Sequence, residues 1–227
     1  MKPLTWLSAK FLYSVRFGPS ADPEGDLKRG HELVSRALAI DQNYARAHSV
    51  RAGILRSQGH LDEAIAEHER ALALDPALVL AESGLGLDYM YLGQFEKSLE
   101  FEDKAIRQSP HEPTLFILYN NKAADYFGLK QYDQAIESAR RAIAINPNNV
   151  PYAHATLVAA LALTGHETEA REALQRHLAL PATEPKTIAA WKAYFKARGV
   201  NERSDPRFLD FWDRMIEGLR KAGMPEE

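Results

Sequence analysis

Eight histidines are the side chains of this 227-residue sequence best suited to acid–base catalysis or metal binding, and their spacing argues against both roles. His60 and His166 occupy the same place in two similar segments, directly after a glycine, which is typical of a tolerated surface position. His48 and His68 could approach each other, but no third ligand and no His-Glu-x-x-His motif accompanies them. We expect structural or surface roles for the histidines. The alternative is an enzyme that uses His48, His68 and nearby carboxylates.

Other residue patterns that could do chemistry are incomplete. Gly84-Leu-Gly86 has two glycines of a dinucleotide-binding loop, but it lacks the third and lies in a helical pattern with no strand before it. The sequence has no Gly-x-Ser-x-Gly motif, Walker lysine motif or calcium loop. Because it has no cysteine, it has no thiol nucleophile, disulfide or cysteine-ligated metal. We expect a non-enzymatic protein with no catalytic residue, metal or cofactor.

The charge balance bears on partners and compartment. Lys and Arg total 28 and Asp and Glu total 31, so the net charge is 28 − 31 = −3, which offers no global field for nucleic acid. The most one-signed basic cluster is Lys186, Lys192, Lys196, Arg198 and Arg203. We interpret it as the polar side of an apolar helix face; an acidic partner or a membrane surface is the alternative. Lys10 and Arg16 interrupt the apolar run Trp6 to Phe17, so we expect no signal peptide, no membrane contact and a cytoplasmic protein.

The elements that would position these residues repeat along the chain. One pattern recurs as Ala71-Leu-Ala-Leu-Asp-Pro76, Ala105-Ile-Arg-Gln-Ser-Pro110 and Ala142-Ile-Ala-Ile-Asn-Pro147, and without its proline as Ala37-Leu-Ala-Ile-Asp-Gln42. These marks end at positions 42, 76, 110 and 147, which are 34, 34 and 37 residues apart. Each proline fixes φ and lacks an N–H, so it separates one helical segment from the next.

A second mark lies between these ends. Gly59, Gly93 and Gly165 each end a helical pattern, and five residues later a small residue lies inside the next helix. The remaining segment has its glycine two residues early, at Gly128. The repeating unit is therefore helix, turn, helix, turn, with small residues where two helices approach closely.

On these marks the sequence resembles tetratricopeptide-repeat (TPR) proteins. The frame of that family gives full units at 45–78, 79–112, 116–149 and 151–184, after a degenerate first unit at 1–44 with a long turn between its helices. Residues 185–227 would form a capping helical hairpin. The resemblance implies an all-α fold, a right-handed α-solenoid of about five TPR hairpins plus the C-terminal cap, in one continuous domain.

The C-terminal tail supports that cap with two apolar stripes. Ile188, Trp191 and Phe195 form one stripe. The other stripe consists of Phe208, Phe211, Trp212, Met215, Ile216 and Leu219. Ser204 or Asp205 can cap the last helix, with Pro206 at its first position and Gly223 after its end. A repeat array needs such a cap, since its last repeat would otherwise expose an apolar face.

The resemblance also implies a binding surface, because TPR proteins line a concave groove with the first helix of each unit. We call the residues carried onto this frame the groove positions: Arg46, Arg56, Leu80, Leu87, Met90, Tyr91, Ile117, Asn120, Phe127 and Tyr152. Their apolar and aromatic character favours an amphipathic helix or apolar peptide. Asn120 and Asn121 match part of a clamp for chaperone tails, but the matching lysines are missing, so we do not expect that ligand.

Alternatives for the groove and for the pathway remain open. The groove could hold the protein's own C-terminal helix, and the chain could be a self-association module that forms a homodimer. The weak first unit and the ending Glu217-Gly-Leu-Arg-Lys-Ala-Gly-Met-Pro-Glu226 resemble the TPR region that follows the catalytic domain of some bacterial class III adenylate or guanylate cyclases. Related regions follow DNA-binding domains in some transcription regulators. This resemblance implies a regulatory protein-interaction module whose partner is a protein or peptide.

Overall fold

The computed structural model of this chain describes residues 2–17, 20–111, 114–148, 151–180, 185–196, 200–201 and 204–227. The described residues form helices and contain no strand. In chain order the helices are Lys2–Phe17 (α1), Pro23–Ile40 (α2), Ala45–Ser57 (α3), Leu61–Leu74 (α4), Val79–Tyr91 (α5), Phe95–Gln108 (α6), Leu115–Gly128 (α7), Tyr132–Ile145 (α8), Pro151–Leu163 (α9), Glu167–Leu178 (α10), Ile188–Lys196 (α11) and Pro206–Ala222 (α12). The all-α fold expected from the sequence is confirmed.

The chain divides into two compact units, Met1–Asp88 (unit 1) and Tyr89–Glu227 (unit 2), with the boundary inside α5. In unit 1, α1 packs on α2 and α3, and α3 packs on α4. In unit 2, α7 packs on α8, α9 packs on α8 and α10, and α12 packs on α9 and α7. The repeat boundaries and the single continuous domain of the sequence analysis stay predictions.

The small residues of the repeat lie where paired helices meet. Ala52 of α3 and Ala64 of α4 are both fully buried in one cluster. Ala123 of α7 and Ala135 of α8 are likewise fully buried. A side chain larger than a methyl group at these positions would push the two helices of a pair apart, which explains why the sequence repeats small residues there.

The turns between paired helices need a left-handed residue. Gly59, Gly93 and Gly165 have φ angles of 85°, 66° and 84°. In the remaining hairpin Lys130 takes this conformation, with a φ of 62°. The early glycine of that hairpin has another purpose, because a Cβ on Gly128 would lie 2.6 Å from the Phe95 ring. Close packing against a phenylalanine therefore explains Gly128.

The last helix begins and ends as the sequence predicts. The Asp205 side chain accepts a hydrogen bond from Arg207 N at 2.8 Å, Pro206 is the first helical residue and Gly223 follows the end with a φ of 98°. This confirms the predicted caps of α12 and selects Asp205 over Ser204. The two apolar stripes of the tail are buried in unit 2.

Candidate functional site

The histidines of the repeat turns lie at helix starts. His60 and His166 immediately precede α4 and α10, and both are exposed. The His60 ring contacts the Glu63 carboxylate at 2.9 Å, and the His166 ring contacts the Thr164 hydroxyl at 2.9 Å. These are local contacts within one turn.

His48 lies beside a polar cleft of about 350 Å³ in unit 1. Its Nδ1 is 2.7 Å from a Glu67 carboxylate oxygen and its Nε2 is 2.8 Å from the Gln42 carbonyl oxygen. Burial alone would raise the pKa of Glu67, but hydrogen bonds from Arg51 and His48 outweigh it and hold that pKa below its usual value. The cleft's carboxylate is therefore already engaged by Arg51 and His48.

His68 belongs to a separate buried cluster. The Asp88 carboxylate, fully buried, accepts one hydrogen bond from Arg56 Nη1 at 2.7 Å and one from His68 Nδ1 at 2.6 Å. Arg56 also donates to the Gly84 carbonyl oxygen at 3.1 Å. A Cβ on Gly84 would lie 2.1 Å from His68 Nε2, so the histidine ring occupies the space that this glycine leaves. Among the described residues, no group of three or more His, Asp or Glu side chains could hold a metal ion.

The groove positions of unit 1 differ in exposure. Arg46 is exposed, and its guanidinium lies 5.9 Å from the centre of the Trp6 ring. Leu80 is 43% exposed, whereas Leu87 and Arg56 are buried. Arg56 is used within the fold by Asp88, so its predicted place in a ligand site carries an internal ion pair instead of a free cation.

In unit 2 the groove positions lie against the C-terminal helix. Phe208 of α12 stacks on Tyr91, with ring centres 5.0 Å apart, and Phe211 meets Phe127 edge-to-face at 5.7 Å. Phe127 is fully buried. The α12 residues buried on this side are Phe208, Phe211, Trp212, Met215, Ile216, Leu219 and Ala222. Aromatic pairs of this geometry add stabilisation beyond the burial of apolar area. Helix α12 therefore contacts these groove positions as an apolar ligand would.

Close backbone approach fixes the register of α12. A Cβ on Gly218 would lie 2.7 Å from the Cα, Cβ and carbonyl oxygen of Ala159 on α9. Because α9 carries alanine at this point and α12 carries glycine, the two helices meet with almost no side chain between them.

Arg214 adds polar specificity to the α12 contact. Its Nη1 donates to the Phe127 carbonyl oxygen at 2.8 Å and its Nη2 donates to the Gly128 carbonyl oxygen at 3.0 Å, while its Nε donates to Asp210 of α12 at 3.0 Å. The two carbonyls are at the C-terminal end of α7, where helix carbonyls lack intrahelical partners and cations are favoured. Arg214 therefore joins α12 to the end of a groove helix.

A second polar contact lies at the start of α12. Arg207 donates to both carboxylate oxygens of Glu96, at 2.9 and 3.0 Å. This hydrogen bond is the main cause that holds the pKa of Glu96 below its usual value. The Arg207 guanidinium also lies 5.6 Å from the centre of the Phe95 ring.

The remaining aromatic groove position, Tyr152, packs against α11. Its ring centre is 6.2 Å from that of Trp191 and 5.7 Å from that of Phe195. The backbone N–H groups of Ile188 and Ala189 donate to the carbonyl oxygens of Pro225 and Glu226 at 2.8 and 2.9 Å. The residues after α12 thus accept hydrogen bonds from the first N–H groups of α11. These hydrogen bonds hold α11 next to the end of α12.

The basic cluster of the tail is described only in part. Lys186 donates to the carbonyl oxygens of His177 and Leu180, both at 2.8 Å, so it serves the end of α10. Arg198 and Arg203 lie outside the described residues.

Asn120 and Asn121, the partial match to a chaperone clamp, bond within the protein. Asn120 Oδ1 accepts from Ala153 N at 2.8 Å, and Asn121 Nδ2 donates to Glu102 at 2.9 Å. Both side chains are buried. Ile117, one turn earlier on α7, is half-buried. The structure thus brings the unit 2 groove positions against α9, α11 and α12, and their role in binding a partner stays a prediction.

Two buried groups of unit 2 have strongly shifted pKa values. Burial raises the pKa of Asp125 well above its usual value, and a hydrogen bond from Ser98 at 2.8 Å only partly opposes this. Burial lowers the pKa of His177 to about 4, although a hydrogen bond to the Pro185 carbonyl oxygen, 2.7 Å from Nε2, favours the protonated form. In both groups burial favours the uncharged form, and both lie within helix contacts.

Sequence reasoning did not single out Arg214 or Asp88. The signal for Arg214 was a cation on the apolar side of α12, between Phe211 and Met215. Asp88 had no signal in its own neighbourhood, because its partners Arg56 and His68 lie 32 and 20 residues earlier in the chain.

Comparisons with known proteins bear on the repeats. Models described as tetratricopeptide repeat match residues 45–78 and 116–149. No curated protein matches the chain. The chain therefore contains TPR repeats in these two segments. Proteins built from such repeats are generally protein-interaction scaffolds without enzymatic activity.

Solved TPR structures resemble the fold over most of the chain. The structure of pilF from Pseudomonas aeruginosa is 16% identical with a TM-score of 0.67, and the match covers 98% of this chain and 91% of that one. TTC0263, a thermophilic TPR protein in Thermus thermophilus, is 20% identical with a TM-score of 0.65, covering 88% and 99% of the two chains. YrrB, a TPR protein with an unusual peptide-binding site, is 21% identical with a TM-score of 0.54, covering 85% and 96%.

These likenesses show the fold alone. No described helix is both long enough and apolar enough to cross a membrane.

Proposed function

We propose that this protein is a non-enzymatic protein-interaction module that binds an amphipathic helix at the groove positions of unit 2, where its own α12 is the resident ligand. The observation that carries the proposal is the fit of α12: Phe208 on Tyr91, Phe211 on Phe127 and Gly218 on Ala159. A partner would replace α12 with a helix of the same kind, bearing aromatic anchors one turn apart and a small residue further on.

The polar contacts support a ligand that is a helix with an arginine near its middle. Arg214 reaches two carbonyls at the end of α7, which any arginine on an incoming helix could reach in the same way. An intramolecular helix has a high effective concentration, so an outside partner must bind more tightly or α12 must first be loosened. The module would then respond to events that loosen α12.

The experiment uses a labelled peptide of residues 204–227 and the full chain with Gly218→Leu. The added side chain would clash with Ala159 and release α12, so the peptide should bind this variant at least about tenfold more tightly than the wild-type chain. Fluorescence anisotropy measures binding, and circular dichroism checks that the other helices persist. Asp213→Leu, which introduces leucine at an exposed position of α12, is the control and should behave as wild type.

A second variant covers the case in which Gly218→Leu fails to fold. Arg214→Ala removes the hydrogen bonds to α7 with no added bulk and should raise peptide affinity in the same direction. Equal affinity for the wild-type chain and for both variants, with helicity retained, would contradict the groove proposal.

Self-association is the second candidate, and the same contacts favour it. Every contact that α12 makes with Tyr91, Phe127 and Ala159 could be made by α12 of a second copy, which is the basis of domain swapping. Light scattering across a concentration series would show a mass of 25.5 kDa for the monomer and a doubled mass for the exchanged dimer.

We further propose, on the sequence resemblance to cyclase-associated repeat regions alone, that the module acts in the cytoplasm and that its partner is a nucleotide cyclase or a DNA-binding regulator. Co-purification with the purified catalytic domain of such a cyclase tests this pathway. Binding that survives both α12 variants unchanged would place that partner on another surface.

A further inference from the structure

Helix α1 of unit 1 exposes two aromatic side chains on one side, while Leu4, Leu12 and Val15 pack against the core cluster on the other. Trp6 is 66% exposed and Tyr13 is 50% exposed, whereas Thr5 and Ser8 are buried. Leu7 is exposed as well. Folding alone would favour burial of Trp6 and Leu7, so an exposed apolar face of this kind points to an interaction site. We call Pro3, Trp6, Leu7, Lys10 and Tyr13 the outer face of α1.

Ser8 identifies where α1 stands in the repeat. It is fully buried, and its hydroxyl donates to the Gly30 carbonyl oxygen of α2 at 2.7 Å. Gly30 precedes Ala37 by seven residues, as Ala64 precedes Ala71, and Ala64 packs on Ala52 of α3. Ser8 is therefore the counterpart of Ala52, the small residue at the closest approach of a helix pair.

The residues two before and two after this small residue contact the preceding helix in three later cases. In α3 they are Val50 and Ile54, which share a core cluster with residues of α2. In α5 they are Gly84 and Asp88, which contact His68 of α4.

The third case lies in unit 2. The corresponding residues of α7 are Asn121 and Asp125, which bond to Glu102 and Ser98 of α6. In α1 the same positions hold Trp6 and Lys10. The outer face of α1 is therefore the face on which a preceding second helix packs elsewhere in the chain.

Within the chain, the residue of the preceding helix at this contact matches the chemistry of the residue that it meets. His68 meets the Asp88 carboxylate, and Glu102 meets the Asn121 amide. Val34, at the same place in α2, shares an apolar cluster with Val50 and Ile54. Lys10 holds the position of Asp88, which meets the basic His68, so by this rule a helix that packs on Lys10 should bring an acidic residue.

The charges around the face agree with that expectation. Helix α1 carries Lys2 and Lys10 and has no acidic residue. The Arg46 guanidinium adds positive charge 5.9 Å from the centre of the Trp6 ring. A second α1 with the same charges would be repelled, whereas an acidic helix would be attracted.

We infer that the outer face of α1 docks an amphipathic helix of a protein partner, with apolar residues against Trp6 and Tyr13 and a glutamate or aspartate facing Lys10. This helix packs on α1 as a second helix packs on α3, α5 and α7. The site belongs to unit 1 and involves none of the α12 contacts. Its test is therefore independent of the test of the proposed groove.

The α6 sequence provides a probe of this chemistry, since it is a second helix with Glu102 at the contact position. A capped peptide of residues 94–109 is titrated into the full chain and followed by tryptophan emission. Trp191 and Trp212 are buried, so quenchable emission reports mainly on Trp6. We expect saturable binding that shields Trp6 from acrylamide.

Charge exchange distinguishes this docking from general stickiness. Lys10→Glu should weaken binding of the peptide by about tenfold or more, and the peptide with Glu102→Lys should recover affinity for that variant. Lys28→Glu, the same change at an exposed lysine of α2, is the matched control and should leave binding unchanged.

Two results would overturn the inference. One is binding of the peptide that ignores both Lys10→Glu and the charge exchange, or no binding at all. The other is a shift of Trp6 emission on vesicles of phosphatidylcholine with phosphatidylserine but not on the peptide, which would assign the face to a lipid surface. Gly218→Leu should leave the peptide titration unchanged, which separates this test from that of the groove.

Discussion

The two units bury an aspartate at the same place in the repeat and treat it in opposite ways. Asp88 of α5 and Asp125 of α7 are both fully buried. Asp88 in unit 1 accepts hydrogen bonds from Arg56 and His68. Asp125 in unit 2 accepts one from the Ser98 hydroxyl, and its Oδ1 has no hydrogen-bond partner among the described residues.

The difference comes from the preceding hairpin. Arg56 and His68 lie 34 residues before Met90 and Glu102, so an apolar residue and an acid stand in unit 2 where two basic residues stand in unit 1. Without counterparts of Arg56 and His68, burial is the main cause that raises the pKa of Asp125 well above its usual value. The repeat fixes where the aspartate lies, and the preceding hairpin decides which groups bond to it.

The histidines repeat this contrast. His68 in unit 1 donates to the Asp88 carboxylate, whereas His177 in unit 2 bonds to the Pro185 carbonyl oxygen and stacks near Trp191 with ring centres 6.1 Å apart. Burial lowers the pKa of His177 to about 4 and also lowers the pKa of its neighbour His154. In unit 1 His68 and Asp88 bond to each other, whereas in unit 2 burial favours the uncharged forms of Asp125 and His177.

The largest effect should come from making unit 1 resemble unit 2 with Arg56→Met. Removing one partner of a buried pair leaves an uncompensated carboxylate and costs about 3–5 kcal/mol of unfolding free energy. Urea denaturation near pH 7 measures the loss. Arg46→Met, at an exposed arginine of the same helix, should stay within about 0.5 kcal/mol of wild type. A comparable loss in both variants would mean that the Asp88 pair is not what stabilises this position.

Acid should weaken unit 2 through His177. Its folded-state pKa of about 4 lies below the unfolded value near 6.5, so between these values the unfolded chain binds a proton that the folded chain does not. The stabilisation is complete above about pH 6.5 and is lost as the pH falls towards 4, by about 3 kcal/mol in total. The fluorescence emission of Trp191 and Trp212 in unit 2 measures the unfolding.

A variant that cannot titrate isolates this contribution. His177→Gln should show a smaller loss of unfolding free energy than wild type over the same pH range, whereas His60→Gln at an exposed turn should match wild type. Parallel curves for wild type and His177→Gln would show that His177 is not buried in its neutral form.

A smaller effect of opposite sign is expected at Asp125. Because its pKa is raised, the folded chain keeps a proton that the unfolded chain releases, so this group destabilises the fold increasingly as the pH rises above its usual pKa. Asp125→Asn can still accept from Ser98 and should raise the unfolding free energy near pH 8 by on the order of 1 kcal/mol. Asp133→Asn on the exposed side of α8 is the control.

The pH profile decides between two protonation states of Asp125. The gain of Asp125→Asn over wild type should grow as the pH rises above the usual pKa of an aspartate. A gain that shrinks over this range would mean that Asp125 is ionised and compensated in the fold, and the contrast with Asp88 would disappear.

The helical order and the caps of α12 could be predicted from the sequence, because they depend on local rules. Asp205, Pro206 and Gly223 mark a helix start and end within a few residues, and Gly59 and Gly93 have the φ values that a helix-ending turn requires. The preference for glycine after a helix did not predict Lys130, which adopts the same left-handed conformation without being glycine. Local sequence favours glycine at the left-handed position of this turn. Here the glycine lies at position 128, where it packs on Phe95, and Lys130 takes the left-handed conformation.

The candidate sites depend on pairs that the sequence separates widely. Arg214 reaches the Phe127 carbonyl across 87 residues, and Arg56 reaches Asp88 across 32. Phe127 and Tyr91, which the frame assigned to the groove, contact aromatic residues of α12, and the sequence could not choose between a partner and α12 as their neighbour. That choice depends on whether the tail folds back on its own chain, which no periodicity encodes.

The smallest effect should come from Trp6, and it separates an exposed binding face from a core. Trp191 of unit 2 is fully buried and Trp6 of unit 1 is 66% exposed. Trp191→Ala should cost about 3–5 kcal/mol, whereas Trp6→Ala should change the unfolding free energy by no more than about 0.5 kcal/mol. Thermal and urea unfolding of the two variants check this. A loss near 3 kcal/mol for Trp6→Ala would show that α1 needs this side chain to fold, and its outer face would then be part of the fold instead of a surface kept for a partner.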